Sequence, residues 1–380
     1  MCYTNNTKLM KGINIMSIYL DNSATTPICD AAKQAIITHL DDFGNPSSAH
    51  ELGRQSRILI EDARERIAKC INASPEEIYF TSGGSESNTL ALNGRRYSAS
   101  SKFEHHSVKT NWPKISITKD GFIKAHKLNN TISEWWENPF DTMSCMYVNN
   151  EIGTIQPVKE LATIAHRYGI LLHTDAVQAV PYIHIDVKDL GCDMLSASGH
   201  KFGAFKGSGF LYANARSRVR PLINGGHQES SVRPGTENIL GIISMAAALE
   251  DTVEYMDERN EYIQTLRDKM LDMLLQIPGA TLNGSLENRV PGNINIRFSG
   301  VSGAKLVTLC SLYGIYISAG SACNEGISEP SHVLKAIGLT DEEALSSIRI
   351  TIGHQNTEAE IVEAADIIIK LVERIRDEET

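Results

Sequence analysis

Short apolar runs alternate with amphipathic stretches along this chain of 380 residues, and that alternation constrains the fold more than any other feature. An apolar run bounded by turn residues reads as a buried strand, and the amphipathic stretch after it as the crossover helix of a βαβ unit. Repetition of the unit predicts an α/β fold whose mostly parallel sheet is flanked by helices. Ser56–Cys70 reads as a helix, with Ile58, Leu59, Ala63 and Ile67 set among charges. Ile78–Thr81 reads as a strand, Gly83-Gly84 as a turn, and a further helix begins near Glu86. Met143–Val148, Ile170–Thr174, Asp193–Ala197 and Gly209–Tyr212 read as further strands, and Val158–Tyr168 as a helix closed by Gly169.

Beyond Pro234-Gly235 the pattern changes. A long helical region over Leu240–Leu275 is expected to carry the chain into a second, smaller α+β unit. Its expected strands are Asn293–Phe298, Ile315–Ser318 and Ile348–Ile352, and Glu358–Arg376 is a strongly amphipathic helix. The expected organisation is therefore an extension over 1–17, a large domain over 18–260 and a small C-terminal domain over 261–380, with which the N-terminal segment could also pack. Residues 1–15 are polar and lack apolar periodicity, so they are expected to be a dispensable extension, with Met16 as an alternative start.

Charge and cysteine usage exclude several classes of function. Lys plus Arg total 36 against 46 Asp plus Glu, a net charge of −10, which disfavours broad binding to nucleic acid or to anionic membranes. The most apolar stretch, Leu240–Leu249, contains Gly241 and Ser244 and falls short of the roughly 18 residues that span a bilayer. The seven cysteines, at 2, 29, 70, 145, 192, 310 and 323, are odd in number and include no CxxC pair. That argues against a disulfide framework and a structural zinc site, and for a reducing cytoplasmic setting with mostly inert thiols.

Three segments at expected strand ends could carry chemistry. Thr81-Ser82-Gly83-Gly84-Ser85-Glu86 lies at a strand-to-helix turn, where glycine backbone and a helix N-terminus can hold a phosphate. It reads equally as an ordinary Gly-Ser turn. Asp175 ends the run Ile170–Thr174, on the side where open α/β sheets bind ligands. A carboxylate there can pair with a protonated ring nitrogen or simply cap the next helix. Lys201 ends Ser198-Gly199-His200-Lys201; a desolvated lysine can form a Schiff base with an aldehyde, whereas most loop lysines are only solvated. A phosphate cradle, a buried carboxylate and a lysine together are what pyridoxal 5'-phosphate (PLP) requires.

Longer motifs then give a resemblance. They are Tyr19–Pro27, Phe43–Ser48, Thr81–Asn88, Glu104-His105 and Val148-Asn149-Asn150-Glu151-Ile152-Gly153. They continue with His173–Gln178, Ser198–Lys201, Arg233–Thr236, Ser318–Cys323 and Ser346–Arg349. In this order they resemble the cysteine desulfurases of the class V aminotransferase family, within the fold-type I PLP enzymes, from Ile18 to the C-terminus.

The resemblance implies roles. Lys201 would carry PLP, Asp175 would hold the ring nitrogen protonated, and Gln178 would bond the phenolic oxygen. His105 would stack on the ring and shuttle protons. Gly84, Ser85, Ser198 and His200 would hold the phosphate, with Thr236 reaching the partner's phosphate in a homodimer. Asn150 and Arg349 would grip the substrate carboxylate. Cys323 would take sulfur from L-cysteine as a persulfide, leaving L-alanine. The sulfur would pass to an acceptor protein, such as an iron–sulfur scaffold or a sulfurtransferase, for cluster assembly or thiolation. A selenocysteine lyase or another class V aminotransferase-like enzyme is the alternative within the fold, and a catalytically silent binding protein the alternative outside it. Two departures stand out. Ala204-Phe205-Lys206-Gly207 lacks the proline usual before Lys206, and the stretch between His105 and Asn150, with Trp135 and Trp136, is shorter than in housekeeping desulfurases.

Overall fold

The protein's structure, a computed structural model, describes residues 17–111, 114–134, 140–320 and 329–379. A short strand β1 (Ile18–Tyr19) is followed by helices α1 (Asp30–Thr38) and α2 (Glu51–Cys70), strand β2 (Ile78–Thr81), helix α3 (Gly84–Leu92), strand β3 (Ser98–Ser100) and helix α4 (Ala125–Glu134). Next come β4 (Thr142–Ser144), α5 (Val158–Arg167), β5 (Leu171–Asp175), α6 (Val187–Leu190), β6 (Met194–Ser198) and β7 (Gly209–Ala213). The chain continues through α7 (Ile239–Glu254), α8 (Met256–Leu275), β8 (Ala280–Leu282), β9 (Asn293–Phe298) and α9 (Gly303–Leu312). It closes with β10 (Ile315–Tyr316), α10 (His332–Ala336), α11 (Asp341–Leu345), β11 (Ser347–Thr351) and α12 (Glu358–Glu379).

The main sheet has the order β2-β7-β6-β5-β4-β3. The run from β6 to β3 is parallel, as the βαβ pattern predicts, while β7 lies antiparallel to both β6 and β2. All five residues of β6 and of β7 are buried, the signature of strands covered on both faces. Helix α5 shows why the amphipathic reading works. Val158, Leu161, Ala162 and Ala165 bury one stripe, and Gly169, at φ +69°, ends the helix where a side chain would be strained.

One expectation is sharpened and two are corrected. The helical region expected over Leu240–Leu275 is present and comprises two helices that meet at Tyr255. The nearly continuous apolar run of α7 is buried in the core beneath the main sheet, whereas α8 buries Ile263, Leu266, Met270 and Leu274 in a second core. A break is needed to pass from one to the other, and Arg259 secures it by pairing with Asp251 at 2.8 Å. The strand expected over Met143–Val148 begins one residue earlier and ends at Ser144, although Cys145 and Tyr147 still donate backbone bonds to His173 and Asp175. The strand expected over Ile315–Ser318 is limited to Ile315–Tyr316, with Ser318 bridging separately to Arg349.

The second core gathers Ile18 and Leu20 with α8, α9, α12 and the antiparallel sheet β8-β9-β11, and β1 pairs with β10. Because β2 runs parallel in direction to β6, the carboxyl ends of β2, β5 and β6 reach the same edge of the main sheet. That edge is where a ligand crevice is expected.

Candidate active site

A cavity of about 410 Å³ opens at that edge, lined from both cores. At its floor β2 delivers the chain into Gly83 and the first turn of α3. Gly83 lies at φ +151° and offers no side-chain cap, so the first amides of α3 have no cap partner from it. A Cβ on Gly84 would sit 2.5 Å from Val177 Cγ2, so only glycine lets the backbone come this close. Gly84, Ser85, Ser198 and His200 all line this end. Helix amides without a side-chain cap, beside two serine hydroxyls, could hold a phosphate.

Asp175, at the end of β5, is buried, and its carboxylate accepts from Asn88 Nδ2 at 2.6 Å and from Val177 N at 3.0 Å. Lys201, three residues past the end of β6, donates from Nζ to the carbonyls of Ser23 (2.6 Å) and Ala24 (2.7 Å). Gln178 Nε2 donates to the same Ser23 carbonyl at 2.9 Å. The segment after β1 thus orients two cavity side chains at once. His105 pairs through Nδ1 with Ser107 Oγ at 2.7 Å. Burial pushes its pKa down, against the opposing pull of Asp175, so the ring is favoured neutral. His200 pairs with Thr25 Oγ1 at 3.1 Å and is pushed down to about 4, first by burial and then by Lys201 and Lys206.

From the second core, β11 sends Arg349 into the cavity. Its side chain is 2% exposed, ion-paired with Asp21 at 2.7 Å, and donates to the Asn150 carbonyl at 2.9 Å. Its Nε is buried and has no hydrogen-bond partner among the described residues. A buried guanidinium with an unspent donor is suited to an entering carboxylate.

Lys201, His105, Asp175, Gln178, Gly84, Ser85, Ser198, His200, Asn150 and Arg349 therefore meet in one cavity. Thr236 does not line it and is solvent-exposed on its own chain. Cys323 lies outside the described residues, as do Trp135 and Trp136. Phe205 is 46% exposed, while its neighbour Lys206 lines the cavity. The five described cysteines are free, and burial pushes every one of them up, Cys70 to about 11 and Cys192 and Cys310 to about 12. They fit the expectation of inert thiols.

Sequence reasoning assigned no role to Asn88, Asp21 or Glu104. Glu104 is buried behind His105; its carboxyl receives Ser101 Oγ at 2.5 Å and Met146 N at 3.0 Å. Burial pushes it up to about 8. The signal available was adjacency to motif residues, since each acts through a partner distant in sequence. His173 is a satisfied core histidine, held between Ser144 and Ser196. Among the described residues, no group of three or more His, Cys, Asp or Glu is arranged to hold a metal, and no helix is long and apolar enough to cross a membrane.

The family model described as aminotransferase class-V matches residues 18–363. The chain is 41% identical to the cysteine desulfurase IscS of Dictyoglomus turgidum over 94% of its length and 95% of that protein's. It is 38% identical to the cysteine desulfurase IscS of Methanosarcina thermophila, over 95% and 93%. Among solved structures, a NifS-like protein from Rickettsia africae superposes with a TM-score of 0.87 at 32% identity, covering 95% of this chain and all of that one.

Proposed function

Because the chain belongs to the aminotransferase class-V family, whose members use PLP, we propose that it is a PLP-dependent cysteine desulfurase. The reaction is L-cysteine plus the Cys323 thiol giving L-alanine plus a Cys323 persulfide. The C–S bond of the substrate breaks, an S–S bond forms at Cys323, and the proton balance closes within the site. One observation carries the reading: Lys201, Asp175 and an uncapped helix N-terminus that only glycine permits surround one cavity into which Arg349 also points.

Bound PLP supplies an electron sink for bonds made and broken at the substrate's Cα and Cβ. The residues do the rest. Gly84, Ser85, Ser198 and His200 would hold the phosphate, with His200, favoured neutral by burial, contributing a hydrogen bond without adding charge. Asp175, fixed by Asn88 and Val177, would keep a proton on the ring nitrogen. Gln178 would bond the phenolic oxygen. The His105 ring, favoured neutral by burial, would face the cofactor and could pass protons beside it. Asn150 and Arg349 orient the substrate carboxylate. Lys201 Nζ would be the group that holds the cofactor, and it would serve as the base toward the substrate's Cα.

The proposal includes a homodimer in which Thr236 reaches the partner's phosphate. Exposed apolar side chains on and near α1 and α2, namely Ile37, Leu40, Phe43, Leu52 and Ile58, support a covered face there. The persulfide must be handed to an acceptor thiol or scaffold, and the reduced Cys323 it requires fits a reducing cytoplasm. The test is to incubate the full chain with PLP and L-cysteine and assay alanine together with protein-bound sulfur. Equimolar first-turnover alanine and persulfide is the expected result. Turnover of selenocysteine with none of cysteine would replace this reading with that of a lyase.

A further inference from the structure

We propose that Glu151 is a positioning residue for sulfur transfer: its carboxylate ties the downstream end of the segment carrying Cys323 to the loop that presents Asn150. The inference rests on the reading of Cys323 as sulfur acceptor. Its geometry lies wholly in described residues. Gly320 and Ser331 bracket residues 321–330, and the two brackets converge on Glu151. Ser331 Oγ donates to Glu151 Oε2 at 2.5 Å. A Cβ on Gly320 would lie 3.8 Å from the same oxygen and 3.9 Å from Ser331 Cβ.

Both ends of this neck connect to the substrate grip. Upstream, Ser318 N donates to Arg349 O at 3.0 Å and Arg349 N to Ser318 O at 2.6 Å. Downstream, the next residue after Ser331 makes a second tie, His332 Nε2 donating to the carbonyl of Glu104 at 2.9 Å, beside His105. The loop end is thereby fixed to the sequence neighbours of Asn150 and His105.

Glu151 is held firmly enough to act as an anchor. It is 1% exposed, its N–H is held by Asn149 Oδ1 at 2.9 Å, and its carbonyl receives Asn293 and Asn295 side chains at 3.1 and 3.2 Å. A carboxylate is costly to bury unless it accepts hydrogen bonds, and a hydroxyl-to-carboxylate bond is stronger than a neutral pair. Ser331 Oγ meanwhile accepts from Val333 N at 3.1 Å and Leu334 N at 3.3 Å, so the bond to Glu151 also orients the cap of α10. Fixed residues on either side of a chain segment limit the positions open to the residues between them. A thiol that must come within attacking distance of a substrate sulfur gains from that restriction.

The experiment uses the PLP-loaded full chain as wild type, Glu151→Ala, Glu151→Gln, Ser331→Ala and the Glu151→Ala/Ser331→Ala double variant. Glu151→Ala should lower kcat for alanine release by on the order of tenfold to a hundredfold, the scale of a small misplacement. KM for L-cysteine and cofactor absorbance should stay near wild type. Hydrogen exchange at the Ser318, Val333 and Leu334 amides should quicken. Glu151→Gln, which keeps an acceptor oxygen, should recover most of kcat. Ser331→Ala should match Glu151→Ala, and the double variant should be no worse than either. Wild-type kcat in Glu151→Ala overturns the proposal. So does parallel loss of KM and cofactor, or a glutamine variant no better than alanine. If Glu151→Ala does not fold, Ser331→Ala decides: a kcat loss at constant KM supports the tie, and unchanged kcat removes it. Wild type inert toward L-cysteine would sink the desulfurase reading instead, and the exchange comparison would still report whether Glu151 holds the neck.

Discussion

At Cys323 the expected phenotype is split. Cys323→Ser leaves Lys201, Asp175 and Arg349 untouched, so cofactor absorbance and its change on adding L-cysteine should persist. Alanine release should fall by about two orders of magnitude or more, because the sulfur has lost its nucleophilic acceptor. Near wild-type alanine release from that variant would mean that no protein thiol takes the sulfur. Glu104 predicts a pH effect of definite sign. Its folded pKa is raised from 4.5 to about 8 by burial, with Asp175 adding to the rise and Lys114 opposing it. Its contribution to stability is therefore full below about 4.5 and is lost as pH climbs through about 8. Glu104→Gln removes that dependence, so its Tm relative to wild type should rise between pH 5 and pH 9. An offset that is constant across that range would refute the assignment. Lys201 and Asp175 were legible in the sequence because each closes a strand-like run inside a recognisable motif. Asn88 and Glu104 were not, because their meaning depends on Asp175 and Met146, 87 and 42 residues away in sequence.

The turn from β2 into α3 is the element on which the proposed cofactor binding depends. Its glycine is there for space: the 2.5 Å approach to Val177 Cγ2 leaves no room for a methyl group at Gly84. Gly84→Ala must push Val177, and with it the backbone after Asp175, or tilt the start of α3. Either shift misaligns helix amides that hold an anion within the first turn. PLP affinity should drop by roughly tenfold or more, measured by titration of the visible band, while the main sheet stays folded. Unchanged affinity would show that the phosphate sits elsewhere. Elements with strong periodicity, such as α2, α5 and α12, were readable from the sequence because their buried stripe repeats every turn. The strand β3 was not, since Ser98-Ala99-Ser100 carries no β-branched or aromatic side chain to mark its buried pairing with β4. The break at Tyr255 was hidden for a different reason. Neither proline nor glycine marks it, and it exists because α7 and α8 serve different cores.

At the scale of the whole molecule, the cavity draws residues from the segment after β1, the main sheet's edge and β11, so it exists only when both cores are assembled. Sequence motifs could name those residues but not the carbonyls of Ser23 and Ala24 that hold Lys201, because backbone acceptors leave no mark on composition. Thr236 stays outside this assembly, and its surroundings suggest where it belongs. Its loop is tied to the body through Arg64–Glu229 at 2.7 Å and Arg233–Glu86 at 2.9 Å, with Glu86 itself lining the cavity. Phe43, 82% exposed, and Leu40 and Ile58 nearby form an apolar face of the kind a second copy covers. In the proposed two-fold dimer, each loop would serve the other protomer's site. Subunit mixing tests this directly. Lys201→Ala and Thr236→Ala homodimers should each be impaired, the second most clearly at limiting PLP. In a mixed dimer, the protomer that keeps Lys201 faces a partner that keeps Thr236, so one of its two sites is whole. After unfolding and refolding an equal mixture, about a quarter of all sites should regain wild-type activity at limiting PLP. Light scattering should give twice the chain mass throughout. Recovery no greater than the average of the two parents would assign Thr236 to its own chain or to no site.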